Sequence, residues 1–495
     1  MYRRLGTTYN QNIEKTALTA GVWYITCNIC FKGITMLTAP VFNRLLSQEE
    51  VGNFSNIQSW AGIFFVVFTL ELSSSVNIAK FDYTEHEYDS YLASLVVLGS
   101  IITTIFLASY VTFQDVWDNY VGIGKEYMYA LFIYMYFSPA ANIFLEKLRS
   151  VLHYKQIIVL TAIMSFSTLI LSLALVFAMD NRLSGRVIGS YVPTAIVGLI
   201  LYGSLLFKGK KIKASHWKYA LAISLPMAFH LLAGTILSSA DRIMITRICG
   251  ADDNALYSVA YLIAGVVILL WTSINAAWAP WCYIKFNDES NEYVKKYSKF
   301  LLVCAGIVVF SLALLAPEML YILGGSTYII AASVVPPILC GCYAMIIYTL
   351  YVNVEQFYKK QVFVALGTML AGAINIGLNY IFIPMFGYVA AAYTTWAGYF
   401  ILFVFHYLIT KYIIKKDNIY DIYFILNVLI VGSVMISCCS LLYKYNIFRY
   451  CIICILLILL LRQILLNWTE LSLSIKNKSL EDLLLSLTKG LIRKT

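Results

Sequence analysis

Arg44-Leu45-Leu46-Ser47-Gln48-Glu49-Glu50-Val51-Gly52-Asn53-Phe54-Ser55 returns 203 residues later as Arg247-Ile248-Cys249-Gly250-Ala251-Asp252-Asp253-Asn254-Ala255-Leu256-Tyr257-Ser258. Arginine meets arginine, an acidic pair meets an acidic pair, and aromatic-Ser meets aromatic-Ser. Further on, Lys80-Phe81 meets Lys285-Phe286. Each copy joins the end of one long apolar block to the start of the next, so the spacing predicts that helices one and two recur as helices seven and eight. The alternative is a chance likeness between two apolar flanks. An even number of crossings per repeat gives both halves the same orientation, related by an axis along the membrane normal with a central cavity between them.

The rest of the chain fits that unit. Of 495 residues, 60% are hydrophobic and 13% charged, with mean hydropathy +0.76, where a soluble domain runs nearer 25% charged. The apolar residues come in blocks of about 20, the length that crosses a ~30 Å hydrocarbon core as a helix; a barrel would show short alternating strands. The blocks predict an all-α polytopic membrane protein of about fourteen spans, boundaries good to about 4 residues: 17–42, 54–79, 91–113, 126–146, 156–179, 187–207, 219–240, 255–282, 300–323, 329–356, 361–383, 387–410, 421–443 and 447–466. The division of 361–410 rests on the Pro384-Met385-Phe386-Gly387 break. The expected units are an N-terminal lobe (1–213), a C-terminal lobe (214–416), two added helices (417–467) and an amphipathic tail (468–495) that lies on the inner leaflet or docks on the protein's own loops. No cleavable signal peptide is expected, because Met1–Lys15 is polar and the first block is too long.

Charge sets the direction. With the amino terminus inside, 27 Lys and Arg fall on inner segments and 8 on outer loops, with Lys32 inside the first helix. This positive-inside bias predicts both termini in the cytoplasm. The net charge of +10 therefore addresses topology and anionic lipid rather than nucleic acid. Nothing resembles a Walker sequence, no aspartate pair accompanies a soluble domain, and no loop exceeds about 20 residues. A folded catalytic domain has no room, so no enzyme and no cofactor is expected. The cysteines, Cys27-x-x-Cys30 among them, lack ligand spacing and read as small packing residues. All nine prolines fall within or beside apolar blocks, and Pro226 and Pro280 are hinge or static-kink candidates.

Ionisable and amide groups inside the spans are functional candidates, because burying them in lipid is costly. Lys32, mid-depth in helix one, suits an anionic group such as a diphosphate, or pairs with Glu71. Glu71 is a candidate for proton coupling or that pairing. Asp241 and Arg242, at the end of helix seven, are local pairing or capping partners, or gate residues. Glu355, His230 and His406 read as packing residues. Trp271, Asn275 and Trp278 share one helical face, the indole-and-amide surface on which sugar rings stack, with an interfacial aromatic belt as the alternative. Asn28, Asn77, Asn375 and Asn379 are further amides.

Two stretches carry a resemblance. Pro40-x-x-x-Arg44-Leu45-Leu46-Ser47-x-Glu49-x-x-Gly52-x-Phe54 looks like the opening of bacterial polysaccharide flippases of the Wzx type. Ser239-Ala240-Asp241-Arg242 followed by Ala255-Leu256-Tyr257-Ser258-Val259-Ala260-Tyr261 repeats the likeness in the second half. It covers roughly residues 10–410. The resemblance implies the multidrug/oligosaccharidyl-lipid/polysaccharide exporter superfamily, with two six-helix lobes around a cationic cavity. It also implies an undecaprenyl-diphosphate-linked oligosaccharide turned from the inner to the outer leaflet of the bacterial cytoplasmic membrane, for O-antigen, capsule or exopolysaccharide synthesis. A polymerase and a chain-length regulator would be functional partners. The alternatives are an ion-coupled multidrug exporter and a membrane-embedded polymerase. One departure stands out: Pro226–Ala240 holds no Lys or Arg, which leaves anion binding to Lys32, helped by Arg44 or Arg247.

Overall fold

The computed structural model describes Gly33 and residues 36–475, with side-chain surroundings given to residue 465. All the regular structure described is helical. Helix α1 (36–45) turns through Leu46 and Ser47 into α2 (Gln48–Thr69). Ser47 caps α2 reciprocally: its hydroxyl accepts the Glu50 N–H while the Glu50 carboxylate accepts the Ser47 N–H at 2.7 Å. Two orphan helix-end donors are satisfied at once, so this turn closes the same way whatever surrounds it.

There follow a 3₁₀ turn (Leu72–Ser75), α3 (Val76–Asp82), α4 (Glu85–Thr112), α5 (Gln114–Val121), α6 (Lys125–Ser150), α7 (Tyr154–Ala178) and α8 (Arg182–Gly209). The second half runs through α9 (Ala214–Ile248), α10 (Ala251–Asn287), α11 (Asn291–Leu314), α12 (Ala316–Gly324), a 3₁₀ turn (Ser326–Ser333), α13 (Val335–Phe357), α14 (Gln361–Phe386) and α15 (Tyr388–Leu408). A π-helical turn (Ile409–Ile414), α16 (Ile422–Leu442) and α17 (Asn446–Ile475) complete it.

Twelve of these helices are long and apolar enough to cross a membrane, and α2 with the segment Leu72–Asp82 makes a thirteenth, bent by 50°. They correspond to the second to fourteenth expected spans; most of the first span and the amphipathic tail lie outside the described residues. The 361–410 block is two helices, separated at Gly387 (φ +68), a left-handed conformation that a side chain would strain. Pro384 lies inside α14 and does not end it. Large apolar side chains such as Ile170, Phe177, Ile430 and Ile458 are exposed on the bundle surface, where lipid takes the place of a packing partner.

Two expectations need correction. The ninth span stops at Leu314, and its expected end is the separate short helix α12, with Pro317 in its first turn. The 50° bend interrupts the second expected span, whereas Pro226 and Pro280 sit inside continuous α9 and α10. It falls at Leu70 and Glu71, both left-handed (φ 44 and 50) although neither is glycine. Such residues cost about 1 kcal/mol or more each, and no sequence rule marks them in an apolar run.

The first half buries two apolar cores, around Phe64, Phe68 and Phe132 and around Tyr91, Leu95 and Ile143. The second half builds one larger core from α10, α13 and α15, which also takes in α16 and α17. Helix α17 is tied to α12 by Arg449, 1% exposed, whose guanidinium grips both Glu318 oxygens (2.6 and 2.8 Å) and the Leu314 carbonyl (2.7 Å).

Candidate functional site

The halves meet where the duplicated stretches lie. Gly52 packs so closely on α10 that a Cβ there would stand 1.7 Å from the Ala251 carbonyl oxygen. The Gly52 carbonyl accepts from Asn254 Nδ2 (2.8 Å), and Gln48 Nε2 donates to the Asp252 carbonyl (3.1 Å). Ser55 Oγ and Ser258 Oγ stand 2.6 Å apart. These two serines are the equivalent positions of the 203-residue repeat, and a contact between equivalents is what an axis between parallel repeats generates. Beside them, Asn43 and Arg44 donate to the Leu323 and Tyr321 carbonyls, both at 2.9 Å. One end of the inter-lobe gap is thereby shut by backbone-level contacts.

Behind this closure lies a cavity of about 450 Å³, walled by α1, α2 and α8 of the first half and α9 and α10 of the second. Its polar groups are Asn43, Ser55, Gln58, Ser59, Arg186, Ser239, Arg242, Ser258 and Thr272; among the described lining residues there is no carboxylate. Arg186 enters from α8 with its guanidinium 3.5 Å from the Phe42 ring centre and 4.6 Å from that of Phe54, and its Nε has no hydrogen-bond partner. Arg242 enters from α9, donates Nη1 to the Ser238 carbonyl (2.9 Å) and lies 4.6 Å over Tyr261. Neither makes an ion pair among the described residues. Aromatic faces orient a guanidinium without neutralising it, so the cavity offers two planar, fork-shaped donors to an anion.

Arg186 was not singled out in the sequence; at the start of an apolar block it counted as an outer-loop charge. The second half does supply a cation after all, two residues beyond Ala240.

Asp241 and Arg242 make no ion pair among the described residues; the Arg242 backbone N–H instead donates to the Asp241 carboxylate at 2.9 Å. Their side chains diverge: Asp241, 1% exposed, turns into the second half, where Tyr257 donates to its carboxylate and Thr395 Oγ1 lies at 3.5 Å. The polar chain continues to Asn375 (3.4 Å from Thr395), Asn379 (3.1 Å from Asn375) and Thr394. A buried carboxylate among amide and hydroxyl oxygens, drawn from α9, α10, α14 and α15, can hold a proton or a small cation.

The expected sugar platform faces elsewhere. Trp271 is 4% exposed in the second-half core, Asn275 accepts from Asn353 (2.8 Å), and Trp278 packs on Trp281 with ring centres 5.0 Å apart. The cavity face of α10 is instead Ser258, Leu262, Gly265, Leu269 and Thr272, which also recur at helical spacing. Glu71 takes a hydrogen bond from Ser73, and Asn77 donates to Glu146 (2.7 Å), both away from the cavity. Arg247 is 6.0 Å from the Tyr120 ring, and Arg44 belongs to the closure. Lys32 and Asn28 lie outside the described residues.

Residues 18–283 match the family described as "Polysaccharide biosynthesis protein". A protein of the Lsg locus of Haemophilus influenzae is 20% identical over 383 residues, covering 72% of this chain and 88% of its own. Among solved structures, the lipid II flippase MurJ in an inward closed conformation superposes with TM-score 0.68 at 15% identity, covering 90% of this chain and 99% of that one. A superfamily transporter from Pyrococcus furiosus gives 0.53 at 13% identity, covering 86% and 96%. An inward-facing multidrug transporter gives 0.56 at 13% identity, covering 85% and 95%. These solved structures share the fold of this chain.

Proposed function

Because the chain belongs to the polysaccharide biosynthesis protein family, we propose that it is a flippase for an oligosaccharide linked to a polyprenyl diphosphate. It works by alternating access, moving the lipid from the inner to the outer leaflet of a bacterial cytoplasmic membrane. The observation that carries this reading is the cavity: two arginines, one from each half, with no carboxylate among the described lining residues. A diphosphate carries charge that Arg186 and Arg242 match in number and geometry, and Lys32 is a third cation for the same headgroup. Serine, glutamine and threonine around them hydrogen-bond sugar hydroxyls. The prenyl tail stays in lipid, where transfer into a polar cavity would cost about 0.8 kcal/mol per CH₂.

With both termini in the cytoplasm, the Gly52–Ala251 closure faces outward. The same closure must open to release the glycan, while Asp241 and its amide and hydroxyl neighbours supply the candidate ion-coupling site. A multidrug exporter for organic cations would want carboxylates where this cavity has arginines. The test is deletion followed by complementation. Cells without the protein should accumulate lipid-linked glycan on the inner leaflet, and Arg186→Ala with Arg242→Ala should fail to relieve it at normal protein level. Full relief by that double variant would remove the anion site from the reading.

A further inference from the structure

Outside the cavity lining, the second half holds a buried ionisable pair with no third hydrogen-bond partner among the described residues. Glu355, near the end of α13, and His406, near the end of α15, are both 0% exposed and meet at 2.8 Å through Oε1 and Nδ1. One turn on, Thr410 lies in the π-helical turn and is 1% exposed. Many threonines on the long helices return their hydroxyl to the carbonyl four residues back, as Thr349 and Thr368 do at 2.6 and 2.9 Å. Thr410 does not. Glu355 Oε2, His406 Nε2 and Thr410 Oγ1 are all buried without a hydrogen-bond partner. Native proteins rarely leave one such atom unsatisfied; here three occur on adjoining turns, at a π-turn of the kind that often marks a functional position.

The surroundings leave the pair electrically alone. Tyr348 of α13 stacks on the imidazole (5.7 Å), Phe405 of α15 meets it edge-on, and Gly367 of α14 gives close approach, since a Cβ there would lie 3.1 Å from His406 Cε1. Tyr351 and Tyr407 pack on one another and on Phe403. Lys411 leans over the Tyr407 and Tyr412 rings, while Lys359 and Lys360 are exposed on the loop just past Glu355, whose carbonyl accepts the Lys360 N–H at 2.8 Å. The pair therefore lies one short loop from the aqueous end of the bundle.

We propose that Glu355, His406 and Thr410 form a proton-binding site, separate from the cavity, that loads and releases one proton as the protein changes state. With one proton on the Glu355–His406 hydrogen bond, carboxylate plus neutral imidazole carry net −1. A second proton binds the free Nε2 lone pair, forms an N–H bond and brings the pair to zero, while Thr410, four residues on along the same helix, is a further buried hydroxyl without a partner among the described residues. A net charge in a dry interior is far costlier than a compensated pair, so occlusion favours the loaded form and opening toward water permits release. Its use in driving transport rests on the flippase reading; its proton binding does not.

Two measurements on the purified full chain in liposomes and nanodiscs separate these. Thermal unfolding followed across neutral pH should show stability falling with rising pH as the proton leaves. That slope should be absent in Glu355→Gln and in His406→Gln, each checked for a monodisperse elution profile. The ratio of lipid-linked glycan flipping with and without an imposed pH gradient should exceed unity in the parent and fall to unity in both variants. An unchanged slope in both variants overturns the site. If the parent flips no glycan, the flippase reading fails while the unfolding slope still decides proton binding.

Discussion

Gly52→Ala puts the closure between the halves to a quantitative test. The added Cβ would stand 1.7 Å from the Ala251 carbonyl oxygen, and ordinary contact begins at 3.4 Å, so α2 and α10 must separate by roughly 1.7 Å. The obstacle is backbone, and no side-chain rotation relieves it. Hydrogen bonds of 2.6 to 3.1 Å at Ser55–Ser258, Asn254–Gly52 and Gln48–Asp252 cannot survive that displacement. At about 1 kcal/mol each, the closed state loses about 3 kcal/mol, which shifts the closed-to-open ratio by roughly 100-fold. The assay is labelling of Gln58→Cys, on the cavity wall, by a membrane-impermeant maleimide added outside intact cells, with the parent's native-cysteine labelling subtracted. Gly52→Ala should raise labelling steeply and depress glycan export, because a protein held open outward cannot reload. Unchanged labelling at normal protein level would refute the closure, its orientation, or both.

Arg186→Ala and Arg242→Ala should each weaken binding of a polyprenyl diphosphate by roughly 10- to 100-fold, the worth of a charge-assisted hydrogen bond; fluorescence titration of purified protein reads this, and an unaltered affinity for both rejects the anion site. Asp241→Asn should leave the protein folded, since an amide still accepts from Tyr257, yet abolish any dependence of flipping on an ion gradient; a retained dependence excludes Asp241 from coupling. Arg449→Ala strands Glu318 and should cost about 3 kcal/mol, toward the low end for a broken buried pair because Glu318 is 32% exposed; an unfolding temperature equal to the parent's would show that α17 docks without it. Burial pushes the Glu318 carboxyl up, but hydrogen bonds from Arg449 and Tyr450 outweigh it and hold the group below the usual carboxylate range. A depressed value contributes stability present above about pH 4.3 and lost as pH falls through the folded value, so acid should loosen α17 in the parent and not in Arg449→Ala, as limited proteolysis would report.

The helical membrane architecture is legible from hydropathy alone, because a run of about 20 apolar residues crosses lipid as a helix that satisfies its own backbone, and such runs are visible without any partner. The sequence by itself also determined which two stretches correspond, since a duplication leaves its mark in residue identity whether or not the copies touch. Only the tertiary structure decided that they do touch, serine on serine, and which face of each helix looks into the gap. Two faces of α10 carry polar or aromatic residues at helical spacing, and periodicity cannot say which is turned toward the other half: Trp271 went to the core and Thr272, one residue on, to the cavity. Arg186 was invisible as a site because a cation at the start of an apolar block reads as a loop charge until α1 and α2 place Phe42 and Phe54 against it. Glu355 and His406 are separated by 51 residues and fall on different spans; each alone is an ordinary polar interruption. Lateral helix packing, which local sequence does not encode, makes them a pair.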